Sequence, residues 1–414
     1  MRALYHASIA GFMDTPILRL KHGEDRRLRA GHLWVFSNEV DVVATPLKNF
    51  QPGAIARLLT DRDHFLGFVY VNPATLICAR IVSRSAAAPI DEAFLVRRLR
   101  AALALREQLG TPRHHRWVFG ESDGLPGLVL DRFGDVVVGQ IATAGMELLK
   151  GQVEAAVRKV LQPAALVWKN DGGSRDLENL PDSFEIAFGA APPALEIIEK
   201  PRPDRELRFS APLQAGQKTG WFYDQTANRA RLARYLPTGA RVLDVCSYLG
   251  AWGITAMASG AASATCVDSS QAALDGAIAN AKANNVSIET LRGDAFDVLA
   301  GLAERGEKFD AVVLDPPAFI KRRKDLAQGQ AAYRKLNQLA LRLIERDGLL
   351  VSCSCSWHLT PDDLLGAIQS AARHVDRFVQ VLEFGGQSPD HPVHPAIPET
   401  RYLKAFFCRV SLES

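Results

Sequence analysis

The sequence predicts an α/β protein with a parallel sheet in its C-terminal half. Three observations carry that prediction. From about residue 205 to 414, β-rich runs and helical runs alternate, which implies parallel strands covered by helices on both faces. Four successive strand candidates there end at or near an aspartate: Asp244, Asp268, Asp294 and Asp315. Two regions of different texture come first, a β-rich one over residues 16–88 and a mixed one over 90–195.

The first region reads as short strands and turns, beginning at Ile17-Leu18-Arg19-Leu20. Ile55–Leu59, Phe65–Val71 and Leu76–Val82 are its strand candidates, Pro52-Gly53 marks a turn, and Asp25–Ala30 is its one helical piece. This pattern predicts a small β-barrel. The second region predicts a helix over Glu92–Leu109, a hairpin of Leu128–Arg132 and Val136–Ile141, a helix over Glu147–Val160 and a strand over Ala165–Asn170. Together these make an α+β unit, after which Pro192-Pro193 and the Pro201/Pro203 pair punctuate the chain. The third region predicts strands at Arg241–Val245, Ala264–Asp268, Ile288–Arg292, Ala311–Asp315 and Leu349–Ser354. Helices are expected to begin near Ala251, Gln271, Ala295 and Gln328, and Phe378–Phe384 and Ala405–Val410 look like an antiparallel closing pair.

The composition narrows the class. With 47% apolar and 23% charged residues in 414, wholesale disorder and fibrous repeats are excluded. No apolar run approaches the ~20 residues needed to span a bilayer. Met1–Thr15 lacks the layout of a signal peptide, Met13 is a plausible alternative start, and a cytoplasmic protein is expected. The formal charge is +3, yet the 49 basic residues are 36 Arg and 13 Lys. Arg offers a planar fork that matches phosphate and stacks on bases; codon bias explains the same skew. The 6 cysteines are scattered without a C-x-x-C pair, so neither a disulfide scaffold nor a structural zinc site is expected. His391 and His394 lie in a Pro-rich loop and are read as loop residues, with no metal.

A ligand in such a sheet sits at the carboxyl ends of the strands. Asp244 opens Asp-Val-Cys-Ser-Tyr-Leu-Gly-Ala-Trp-Gly, in which Ser247, Tyr248 and Gly250 face the expected cofactor. Cys246 and Tyr248 occupy positions where a dinucleotide fingerprint wants glycine. A cofactor without phosphates tolerates this better, and S-adenosylmethionine (SAM) is one. Asp268 is placed to accept ribose hydroxyls and Asp294 the adenine amine; helix N-capping accounts for any one aspartate equally well. Asp315-Pro316-Pro317-Ala318-Phe319 gives a rigid turn suited to a planar base edge.

Val351-Ser352-Cys353-Ser354-Cys355-Ser356 ends the fifth strand candidate. A thiolate there can add to carbon-6 of a pyrimidine and make carbon-5 nucleophilic. Alternation sends Cys353 and Cys355 to the same side, so the pattern does not choose between them. Lys321, Arg322, Arg323 and Lys324 follow the Asp-Pro-Pro turn, and Arg19, Lys21, Arg26, Arg27 and Arg29 cluster near Trp34 and Phe36. Both clusters are candidate RNA contacts, and Phe319 and Trp252 are candidates for stacking, although core packing is the favoured reading for Trp252.

These residues resemble the RlmI-type large-subunit (23S) ribosomal RNA cytosine-C5 methyltransferases over nearly the whole chain. The stretches that carry the resemblance are His32–Ser37, Gly120–Gly127, Asp131–Gly134, Gly216–Gly220 with Asp224-Gln225, Val267–Ser270, Asp315-Pro316-Pro317 with Phe319, Ser354-Cys355-Ser356 and Asp390-His391-Pro392. The resemblance implies an N-terminal PUA β-barrel, a central α+β domain and a C-terminal class I (Rossmann-like) SAM-dependent methyltransferase. It also implies that Cys355 is the nucleophile and that Lys218 and Thr219 act on the cofactor or substrate side; Asp315 is independently expected to hydrogen-bond the pyrimidine N3 and stabilise the charge that develops on addition. Relatives acting on guanine nitrogen lack that cysteine. The chain departs from the pattern at Thr226, after which Arg229 is the next basic residue, and at Trp357-His358. The expectation is a SAM-dependent enzyme forming 5-methylcytosine in 23S rRNA, with no membrane partner and with oligomeric state open, a homodimer included. Its rivals are methylation of another base or ring nitrogen, and a noncatalytic RNA-binding assembly factor.

Overall fold

The computed structural model describes residues 15–86, 90–110 and 113–412. The alternative start at Met13 therefore lies outside the described residues. The chain forms two compact units: Met1–Leu195 with Pro212–Trp221 and Asp390–Thr400, and Glu196–Ala211 with Phe222–Pro389 and Arg401–Ser414.

The first unit opens with a five-stranded sheet of β1 (Ile17–Arg19), β2 (Trp34–Val35), β3 (Ala54–Leu59), β4 (Phe65–Val71) and β5 (Ala79–Ser83), in the order β1-β3-β4-β5-β2. Leu18, Leu28, Val35, Leu58, Val69 and Ile81 fill its core. Gly67 lets β4 press against β5, since a Cβ there would sit 2.7 Å from the Ser83 carbonyl oxygen. The expected helix shrinks to one turn, α1 (Arg26–Arg29).

A second sheet in this unit has the order β10-β9-β8-β7-β6. Its strands are β6 (His114–Phe119), β7 (Leu128–Phe133), β8 (Val136–Ile141), β9 (Ala165–Asn170) and β10 (Ser183–Gly189). Helix α2 (Glu92–Gln108) packs on it around Trp117, Trp168 and Leu99, its N-terminus capped by the Asp91 side chain. The single helix expected over Glu147–Val160 is two, α3 (Ala144–Leu148) and α4 (Lys150–Leu161), broken at Leu149. The Pro201/Pro203 pair punctuates a two-stranded ribbon, β11 (Ala194–Arg202) and β12 (Arg205–Pro212), with Pro201 near the end of β11 and Pro203 in the turn.

The second unit holds a seven-stranded sheet in the order β15-β14-β13-β16-β17-β19-β18. The strands are β13 (Arg241–Val245), β14 (Ser263–Asp268), β15 (Glu289–Arg292), β16 (Phe309–Leu314), β17 (Ile344–Ser354), β18 (Arg377–Gly386) and β19 (Lys404–Leu412). The first five run parallel, and β19 inserts antiparallel between β17 and β18. Helices α5 (Thr226–Tyr235), α6 (Ala251–Ala258), α7 (Gln271–Ala283), α8 (Ala295–Glu304), α9 (Leu326–Leu343) and α10 (Pro361–His374) accompany it. Alternation along the central strands feeds two cores. Leu243, Val312 and Leu350 join α9 and α10 in one; Val242, Val313 and Val351 join Trp252 and Leu232 in the other. Strand order reverses between β13 and β16, so ligand chemistry belongs at their carboxyl ends. Among the described residues no helix is long and apolar enough to cross a membrane.

Candidate active site

All four aspartates sit at this end of the sheet, in four different states. Asp244 is fully buried. Its Oδ2 accepts from the Gly253 N–H at 3.0 Å, while Oδ1 is buried with no hydrogen-bond partner. Burial raises its pKa to about 7, and the Asp315 and Asp268 carboxylates add to the rise. Asp268 accepts from the backbone N–H of Tyr248 and of Ser270, each at 2.9 Å. Asp294 is exposed and caps α8, its Oδ1 accepting from Phe296 and Asp297 N–H.

The loop from Cys246 to Gly250 is held in an uncommon backbone shape. Cys246 (φ 63°), Tyr248 (φ 49°) and Gly250 (φ 78°) are all left-handed, the first two at the positions where the sequence lacks the expected glycines. The turn geometry survives without glycine because hydrogen bonds over-determine it: Ser247 N–H to the Val267 carbonyl, Tyr248 N–H to Asp268 and Gly250 N–H to the Ser247 carbonyl. Ser247 is buried, and the Tyr248 ring stands edge-on to Phe222 at 5.6 Å. An added Cβ on Gly250 would come within 2.9 Å of Ala277 Cβ. The open Oδ1 of Asp244, the Asp268 carboxylate and this loop fit SAM.

Asp315 follows β16 and is gripped from two sides. Gln225 Nε2 donates to Oδ1 at 2.8 Å and Trp252 Nε1 donates to Oδ2 at 3.0 Å. Trp252 is therefore a buried support of Asp315 and not a stacking surface. Burial raises the Asp315 pKa to about 6, against the pull of the Trp252 and Gln225 hydrogen bonds. Pro316 is buried and Pro317 exposed. Phe319 is half-buried and packs on Tyr333 and Phe296, with ring centroids 4.8 and 6.0 Å away.

Leu314 pairs with Ser352 across the β16–β17 ladder, so Asp315 and Cys355 leave neighbouring strands at the same end. The two thiols are sharply different. Cys353 is fully buried in the core beside Val351 and Trp252, and burial drives its pKa far up. Cys355 lies just past the strand and is partly exposed. Its two flanking serines are clamped: Ser354 Oγ donates to the Tyr333 hydroxyl at 2.9 Å, and Ser356 Oγ lies 3.0 Å from the same hydroxyl. Ser356 Oγ also accepts the Ile320 N–H, tying this loop to the Asp-Pro-Pro turn. Lys404 Nζ donates to the Ser356 carbonyl at 2.6 Å and the Tyr402 carbonyl at 2.8 Å.

The basic residues divide. Lys321, Arg322, Arg323 and Lys324 are all exposed, with Arg322 beside Asp325. In the first unit Arg26 is exposed, and Arg29 pairs with Asp25. Arg27 is committed internally, to Glu39, the Trp34 carbonyl and the Phe36 ring. Lys218 and Thr219 also fall in the first unit. Thr219 is buried and donates to Asp131, and the Lys218 carbonyl accepts from Lys169. Thr226 and Arg229, the departure noted above, both bond Glu199, Arg229 as a buried ion pair. Among the described residues no cluster of metal-binding side chains occurs. His391 instead bonds Asp390 at 2.9 Å. Gln225 and Lys404 were missed in the sequence; their partners lie far away along the chain, although Gln225 sits in the Asp-Gln pair.

Comparison with known proteins agrees with this architecture. The PUA-like domain family matches residues 18–84, and the S-adenosylmethionine-dependent methyltransferase family matches residues 186–408. The chain is 34% identical over 405 residues to ribosomal RNA large subunit methyltransferase I of Salmonella arizonae, covering 96% of this chain and 98% of that protein. The protein of the same name from Erwinia tasmaniensis is 34% identical over 402 residues, covering 95% and 99%. Among solved structures, the methyltransferase SMU.776 complexed with SAH superposes with a TM-score of 0.80 at 20% identity, covering 95% of this chain and all of that one. A SAM-dependent methyltransferase from Streptococcus mutans gives a TM-score of 0.79 at 20% identity, with the same coverage. With a parallel sheet that gathers acids at its switch point and a likeness over 96% of its length, the chain belongs to the ribosomal RNA large subunit methyltransferase I family, a family of SAM-dependent methyltransferases.

Proposed function

We propose that this enzyme methylates carbon-5 of a cytosine in large-subunit ribosomal RNA through a covalent cysteine adduct. The observation that carries the reading is the contrast between the two thiols: Cys353 is sealed in the core, and Cys355 is partly exposed on a clamped loop at the end of the sheet where Asp315 emerges.

Bound SAM supplies an electrophilic methyl group. Asp244, Asp268 and the Cys246–Gly250 loop hold it at the switch point. The exposed Lys321–Lys324 run takes RNA backbone phosphates, and the target base is flipped into the pocket. The Cys355 thiolate adds to carbon-6, and the ring becomes nucleophilic at carbon-5. Asp315, whose pKa of about 6 leaves a proton available near neutrality, donates to ring N3 and balances the charge that develops on addition. After methyl transfer a water takes the carbon-5 proton, the Asp315 carboxylate takes back the N3 proton, and the carbon-6–sulfur bond breaks to release the Cys355 thiolate and restore the ring.

The test uses unmodified large-subunit rRNA, labelled SAM and nucleoside mass spectrometry. The expected product is 5-methylcytosine, formed by the parent and by Cys353→Ser and absent with Cys355→Ser. Methylation on a ring nitrogen, or full 5-methylcytosine formation by Cys355→Ser, defeats the proposal.

A further inference from the structure

Lys404 opens β19 with its side chain buried, only 6% exposed. Its ammonium has two carbonyl acceptors, Ser356 and Tyr402, but forms no ion pair with a carboxylate among the described residues. A buried cation with no countercharge is expensive and rare. No acid stands opposite it on the neighbouring strands. Across the ladders Lys404 stands opposite Ser354 on β17 and Gly386 on β18. Glu383, further along β18, is bound by Arg231 and Tyr235, and Asp224 takes the Tyr402 hydroxyl at 2.5 Å. The charged or titratable groups that act on Lys404 are Arg401, which repels it, and the Cys355 thiol, which alone favours its charge. Burial pushes the ammonium down to about 8, and Cys355 pulls it back.

The carbonyl that Lys404 holds belongs to Ser356, the residue next to Cys355. The lysine therefore fixes the loop and sets a positive charge beside the thiol in one contact. We propose that Lys404 is the fixed countercharge of the Cys355 thiolate, a positioning residue that keeps the thiol ionised near neutral pH. The proton leaves Cys355 for water, and Lys404 stays protonated throughout. The inference deepens the reading of Cys355 as nucleophile, but ionisation can be measured without any methyl transfer.

The experiment follows iodoacetamide alkylation of the full chain against pH, with peptide mass spectrometry reading Cys355 separately from the other thiols. An opposite charge within ~4–6 Å moves an ionisable group by ~1–3 units. Lys404→Met is expected to raise the Cys355 midpoint by about one unit or more, slowing alkylation at pH 7 roughly tenfold. Lys404→Arg, which keeps the charge, is expected to stay near the parent. A lysine that only braces the loop leaves the midpoint in place, and that result overturns the proposal; so does an Arg variant that shifts as far as the Met variant. If Lys404→Met fails to fold, the reciprocal measurement serves. In Cys355→Ala, the Lys404 pKa, read by NMR of the 13C-dimethylated amine, is expected to fall, and an unchanged value overturns the proposal. Full methylation by Cys355→Ser together with a shifted alkylation midpoint would instead remove the nucleophile reading and leave this one standing.

Discussion

Replacing Asp244 by Asn should stabilise the cofactor-free protein, and the gain should depend on pH. Asp244 is fully buried, and its pKa rises from 3.8 to about 7 on folding. Between those values the folded chain binds a proton that the unfolded chain has released. Its contribution to stability therefore falls as pH rises through this window and levels off above about 7. Each unit is worth about 1.4 kcal/mol, so the loss between pH 5 and 7.5 is on the order of 2–3 kcal/mol. Asn keeps an acceptor for the Gly253 N–H and carries no charge. Urea denaturation at fixed pH is the assay. The advantage of Asp244→Asn over the parent should grow by about 2–3 kcal/mol across that range. If the unpartnered Oδ1 holds SAM, as proposed above, saturating SAM should reverse the order, since a ligand stabilises only the state that binds it. A stability difference that stays flat from pH 5 to 7.5 refutes the reasoning.

Trp252→Phe removes one of the two donors that favour the Asp315 carboxylate. A hydrogen bond to a charged group is worth ~1.5–3 kcal/mol, so the Asp315 pKa should climb by about 1–2 units. The alkaline limb of the single-turnover pH profile should move up with it; an unmoved limb separates Asp315 from the reaction. Arg106→Met should cost about 3–5 kcal/mol in thermal or denaturant unfolding. Arg106 is fully buried, bonds both oxygens of Asp123 and reaches the Arg116 and Asp390 carbonyls. Asp294→Ala should lose about 1 kcal/mol of stability through the cap on α8. If the carboxylate also holds the adenine amine, calorimetry should show weaker SAM binding, and equal affinity assigns Asp294 to capping alone.

The sheet was legible wherever a strand is buried on both faces. Arg241–Val245, buried beyond Arg241, and Ala165–Asn170, buried throughout, are mostly apolar runs of this kind and match the structure to the residue. Elements were missed where the pattern is diluted by polar residues. Helix α10 carries a Thr360/Asp363 capping box with Pro361 at its start, a signal that was present and passed over. Strand β12 alternates polar and apolar along Arg205–Pro212, a strand pattern beside prolines that were read only as punctuation. At the site, the aspartates and the Cys353/Cys355 pair could be read from strand ends, and the family resemblance pointed to Cys355. Gln225 and Trp252 could not be assigned to Asp315, because 90 and 63 residues separate them from it. Alternation also could not choose between Cys353 and Cys355. The strand ends at Ser354, and only the end of the strand frees the second thiol from the core.

The insertion of β19 between β17 and β18 has a consequence for synthesis. The ribosome makes β17 and β18 first, and until residues 404–412 emerge β17 is paired only with β16 and β18 with no strand of the sheet. Lys404 arrives on that same segment. A nascent or truncated chain can carry the Cys246–Gly250 loop, Asp315 and Cys355, yet it leaves β18 unpaired, one edge of β17 open and the Ser356 carbonyl without its bond from Lys404. The order of translation thus delays completion of this end of the sheet until its last strand has been made.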